Sequence, residues 1–140
     1  MDTVTADTNL YVSAFNFGGR PLQLIELARA GVIRLAISEE IRSEVRRVLR
    51  DKFAWPDDDL DALDAELASF TVLVRPTERL AVVQADPDDD RVLECAVASR
   101  SSVVVSGDRH LLDLGSYAGM PIMRVAAYLD RAPGGGGDPA

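Results

Sequence analysis

Four carboxylates in this chain stand where they could hold a cation together. Asp7 follows the short run Thr3 to Ala6, and Asp108 follows the β-branched run Ser102 to Ser106. Aspartate is a poor strand residue and costly to bury alone. Either residue on its own reads as a helix N-cap, worth about 1 kcal/mol. Two at equivalent strand ends also suit a shared ligand, because open α/β sheets bind ligands at the carboxyl ends of their strands. Glu44 lies on a helical segment, just outside the apolar stripe of Ile41, Val45, Val48 and Leu49. Periodicity alone places it on a solvated rim. In "DPDDD", Asp86 can cap, Pro87 suits the first helical position, and Asp88 and Asp89 complement the helix dipole, Asp89 at capping-box spacing. Asp90 is not needed for that work. It falls beside Val97 at the rim of the Val92, Leu93, Ala96 and Val97 face, so it is the acid of this group expected to point inward.

Gathering four acids is unfavourable unless something neutralises them. Two unit charges 4 Å apart repel by about 4 kcal/mol at an effective dielectric near 20. An all-oxygen donor set selects hard cations, Mg²⁺ or Mn²⁺. Cys95 and His110 are each single, so no zinc-type set competes. A hard cation held by acids suits phosphodiester hydrolysis, because it activates water and offsets phosphate charge.

The elements that must position these acids alternate. Strands are expected at Thr3–Ala6, Val32–Ile37, Thr71–Arg75, Ser102–Ser106 and Ile122–Arg124. Helices are expected after Asp7, from Pro21 to Ala30, from Glu39 to Lys52, through Leu60, Leu63, Leu67 and Phe70, from the 85–90 segment to Arg100, across Arg109–Leu114, and from Val125 to Arg131. Strands separated by helices imply an α/β fold with a mainly parallel sheet and right-handed crossovers. Residues 1–131 are expected to form one domain, and the Gly-rich residues 132–140 a flexible tail.

The net charge of −8 argues against a protein that grips nucleic acid through bulk positive charge. The lone Cys95 excludes an intrachain disulfide and fits a reducing compartment. With no export-type N-terminus and no apolar run near the roughly 20 residues that span a bilayer, the expected location is cytoplasmic, without a membrane.

The segments "DTNLYVSAF" (Asp7 to Phe15), "SEEIRSEVRRVL" (Ser38 to Leu49), "DPDDDRVLECAVA" (Asp86 to Ala98) and "VVSGDRHLLDL" (Val104 to Leu114) resemble, in order and spacing, the PIN domain family. The likeness is to its bacterial members classed as toxin components of toxin–antitoxin pairs, relatives of the VapC-type toxins. It implies a three-layer α/β/α fold and a metal-dependent endoribonuclease. It places the family's acids on Asp7, Glu44, Asp90 and Asp108, with Asp90 chosen over Asp89 because it precedes the apolar pair in "DRVLECA". Asp7, Asp90 and Asp108 would hold Mg²⁺ or Mn²⁺, and Glu44 would bind the metal or orient water. Thr8, Asn9 and Ser106 match supporting positions. His110 stands where the family usually has a further acid, a departure that bears on a second metal.

The resemblance also implies an RNA substrate, a cognate antitoxin protein and a homodimer. Arg42, Arg46 and Arg50 recur on one helical strip and, with Arg109, are candidate contacts for RNA or antitoxin. Two other readings compete: an inactive PIN fold that only binds a partner, and a receiver-like phosphoacceptor. The latter needs a lysine after a late strand, whereas the only lysine is Lys52.

Overall fold

The computed structural model describes residues 1–131; the expected tail, residues 132–140, lies outside them. Thirteen elements follow in order: β1 (Thr3–Ala6), α1 (Thr8–Phe17), α2 (Gly19–Arg29), β2 (Arg34–Ser38), α3 (Glu39–Phe53), α4 (Asp57–Phe70), β3 (Thr71–Val74), α5 (Pro87–Ser99), β4 (Val103–Val105), α6 (Arg109–Leu114), β5 (Ser116–Tyr117), β6 (Met120–Met123) and α7 (Val125–Asp130). The strand order is β3-β2-β1-β4-β6-β5. All pairings are parallel except β5 with β6. Helices cover the sheet on both faces, giving the expected three-layer α/β/α fold with a mainly parallel sheet.

Apart from shifts of one or two residues at element ends, as in β2 at Arg34–Ser38 against the expected Val32–Ile37, the departures from expectation lie at the far edge. The two-residue strand β5 turns back on β6 in an antiparallel pair, and β6 starts at Met120, earlier than Ile122. Ala118 and Gly119 between them both take positive φ. Two paired residues carry too little periodicity to be read from sequence.

Burial follows the patterning. Val103, Val104 and Val105 are inaccessible to solvent, as a central parallel strand covered on both faces requires. Leu35, Ile37, Leu93, Ile41, Leu49 and Leu67 close the core around them. Thr5, also inaccessible, satisfies its hydroxyl against Ser101 Oγ at 2.8 Å. No helix among the described residues is long and apolar enough to cross a membrane.

The topology fixes where a site belongs. From β1 the chain moves outward to β2 and β3, then returns to β4 on the other side of β1 and continues to β6. The crevice beyond the carboxyl ends of β1 and β4 is therefore the switch point of the sheet. Ala6 is in register with Val105, so Asp7 and Ser106 leave the sheet side by side.

Candidate metal centre

Both opening aspartates are helix caps, and each has more to do. Asp7 caps α1, its Oδ1 accepting from the Leu10 N–H at 2.9 Å. Its Oδ2 accepts from the Ser106 hydroxyl at 2.5 Å. Ser106 Oγ in turn accepts from the Asp108 N–H at 2.9 Å, so one hydroxyl ties the two strand ends together. Asp108 caps α6, its Oδ1 accepting from the N–H groups of His110 and Leu111. Burial raises the Asp7 pKa most; the Ser106, Leu10 and Gly107 hydrogen bonds oppose it, and the Asp108 charge adds a further push upward.

The third acid is Asp89. One carboxylate oxygen from each of Asp86, Asp89 and Asp108 lies within 4.8 Å of the others. Asp89 Oδ2 is buried with no hydrogen-bond partner. The Asp89 carboxyl is pushed up to about 8, first by burial, then by the adjacent Asp108 carboxyl, which favours the protonated form, then by the charges of Asp86 and Asp7. No arginine or lysine among the described residues pairs with Asp7, Asp86, Asp89 or Asp108. An orphaned buried oxygen in an all-oxygen, all-acidic donor set is what a hard divalent cation would satisfy. The residues fit such an ion.

Asp90 was expected in this cluster, and the structure places it elsewhere. It is buried and inward-facing, as the helical wheel implies. What it meets is the loop 75–86: its Oδ1 accepts from the N–H groups of both Val82 and Val83 at 2.9 Å. Its neighbour Asp89, about 100° round the helix, faces Asp108. Nor does Asp89 close a capping box. Asp86 accepts from the Asp88 N–H, while the Asp86 N–H goes to the Val83 carbonyl and leaves no return bond for Asp89 to make. Asp86 and Asp89 are thus the members that the sequence reading assigned to capping and dipole duty alone.

Glu44 projects from α3 into an adjoining cleft of about 440 Å³, shared with Thr8, Arg47, Arg79, Asp88 and Arg91. Both its oxygens accept from Arg47, at 2.9 and 2.6 Å. Glu44 is not part of the close acidic trio. Asn9 lies on the other side of Asp7, in a smaller hollow with Ser106, Gly107 and Arg124. His110 and Arg109 are exposed at the start of α6, and Arg109 reaches only Asp113 at 4.0 Å.

The arginine strip is also placed differently from expectation. Arg42 pairs with Glu39 and Asp64, Arg46 with Asp61 and Asp64, and Arg50 with Asp51. The like charges are answered by α4 and by α3 itself, so the strip is an internal ion-pair network. Asp61 and Asp64, three apart on α4, are the sequence signal for it.

Comparison with known proteins agrees with this architecture. The sequence profile of the PIN domain matches residues 3–110. The solved structure of FitAcB from Neisseria gonorrhoeae is similar, with a TM-score of 0.54 at 13% identity, over 88% of this chain and 98% of that one. Curated protein sequences give no significant match.

Proposed function

The chain belongs to the PIN domain family. We propose that it is a divalent-metal-dependent endoribonuclease, the toxin of a toxin–antitoxin pair, working in the cytoplasm as a homodimer restrained by its cognate antitoxin. The observation that carries the nuclease reading is the buried, unpartnered Oδ2 of Asp89, a residue grouped with Asp86 and Asp108 at the β1/β4 switch point. The toxin, antitoxin and dimer assignments rest on family resemblance.

In this reading Asp86, Asp89 and Asp108, with Asp7 beside them, would hold Mg²⁺ or Mn²⁺. When bound, the metal supplies Lewis acidity toward phosphate and lowers the pKa of water. Ser106 fixes the Asp7 carboxylate and, through the Asp108 N–H, sets the spacing of the two strand ends. The caps at Leu10 and at His110 and Leu111 hold one oxygen of Asp7 and one of Asp108, so that the cluster does not turn away to relieve its repulsion. Glu44, on the cleft wall beside Thr8 and paired with Arg47, would orient the attacking water through the lone pairs its ion pair leaves free. Water adds to phosphorus as the bond to the leaving ribose oxygen breaks, and the proton the water loses is balanced by one that the leaving oxygen takes from solvent. Asp90, although acidic and buried, has no part in this; it holds a loop.

The test is cleavage of single-stranded RNA by purified protein with Mg²⁺ or Mn²⁺, beside chelator, Asp7→Asn and Asp89→Asn controls. Metal-dependent cleavage lost in both variants supports the site. Cleavage that survives chelation or either substitution contradicts it.

A further inference from the structure

The loop 75–86 has no regular secondary structure, yet three side chains of α5 fix its backbone. Asp90 takes the N–H groups of Val82 and Val83. Glu94 takes the Leu80 N–H at 2.8 Å, and Arg91 donates to the Leu80 carbonyl at 3.1 Å. Arg91 and Glu94 are themselves ion-paired, with side chains 16% and 3% exposed. Burying two carboxylates is costly unless their bonds are complete. Here that cost is met in order to hold one loop still.

The residue just before the doubly held Leu80 is Arg79, exposed at the wall of the cleft. Three arginines line that cleft. Arg91 is committed to Glu94 and Arg47 to Glu44. Arg79 has no carboxylate within 4.0 Å among the described residues, which makes it the cleft's one unanswered cation. The same cleft reaches Thr8 and Asp88, chain neighbours of Asp7 and Asp89. A chain of net charge −8 has no diffuse attraction for phosphate; an exposed guanidinium carried by a clamped loop supplies a local one.

We propose that Arg79, presented by the clamped loop, binds a backbone phosphate of the RNA and aligns the strand along the cleft toward the acidic cluster. This rests on the nuclease reading above and adds the direction from which substrate enters.

The test uses the full chain in an Asp7→Asn background with Mn²⁺ and a short fluorescein-labelled single-stranded RNA of mixed sequence, read by anisotropy across a potassium chloride series. Arg79→Ala is expected to weaken binding about tenfold and to reduce the slope of log affinity against log salt by about 0.7, the share of one phosphate on a single strand. Arg79→Lys should restore the slope. Thermal melting should match the parent, and calorimetric Mn²⁺ binding by Arg79→Ala made in the otherwise unmodified chain should match that of the unmodified chain, a pattern that mere loss of structure would not give. If Arg79→Ala keeps the parent slope, or if Arg124→Ala in the hollow beyond Asp7 moves the slope instead, the assignment is overturned and the nuclease reading stands. An effect seen with an acidic peptide but not with RNA overturns it in favour of a protein partner. If the unmodified chain neither binds nor cleaves RNA in Mn²⁺, both fall.

Discussion

Two charged regions of this protein are built on opposite terms. On the α3–α4 face every acid near an arginine is matched: Glu39 and Asp64 to Arg42, Asp61 and Asp64 to Arg46, Asp51 to Arg50. At the mouth of β1 and β4, carboxylates face carboxylates, and Asp89 keeps a buried oxygen with no partner. The first region is fully answered from within and behaves as scaffold. The second is left unanswered while caps and a serine hold it in place, which supports the proposed cation site. Charge density does not separate the two regions; the presence or absence of an internal partner does.

The largest expected break in this contrast is at the mouth. Asp89→Asn should lower Mn²⁺-dependent cleavage by at least about 100-fold, beyond what loss of a supporting residue costs, whereas Asp90→Asn should leave most of it; initial rates on one RNA decide this. Asp90→Ala should act on stability instead, costing about 2–4 kcal/mol because one buried and one part-buried N–H group lose a charged acceptor, as chemical denaturation would report.

A third prediction concerns pH. The Asp89 carboxyl titrates near 8 in the folded chain against an ordinary 3.8, and Asp7 is shifted the same way. Across that window the folded chain holds protons that the unfolded chain has released. Stability without metal therefore falls as pH rises. In chelator the melting temperature should drop between about pH 5 and 8. Mn²⁺ should reverse the drop at the alkaline end, because metal binding releases those protons, and Asp89→Asn should flatten the profile. A profile that rises with pH in chelator would contradict the cluster's electrostatics. The smallest effect belongs to the scaffold. Arg46→Ala should lower stability only slightly, as exposed ion pairs do, with RNA cleavage unchanged.

Much of the fold was legible because its signals are local. The valine run at 103–105 and the apolar stripe of α3 each announce their element. Pairing Asp7 with Asp108 needed only the rule that strands in a parallel sheet point the same way. Choosing between Asp89 and Asp90 needed more. The helical wheel correctly turned Asp90 inward, but the loop it would meet has no periodicity to read, so nothing on the wheel distinguishes a loop clamp from a metal ligand. Capping chemistry likewise explained Asp86 and Asp89 too readily, because a cap oxygen and a ligand oxygen can belong to the same carboxylate. The arginine strip was read from one helix, while the acids that neutralise it sit on another. Arg79 carried no sequence signal at all; its meaning comes from which of the cleft's cations already have partners.

Whether Asp89 is a metal ligand is decided by Mn²⁺ binding followed by isothermal titration calorimetry on the unmodified chain, Asp89→Asn and Asp90→Asn. The unmodified chain should bind, Asp89→Asn should lose binding, and Asp90→Asn should retain it within a few-fold. Binding kept by Asp89→Asn and lost by a folded Asp90→Asn would place the metal centre elsewhere and contradict that role for Asp89.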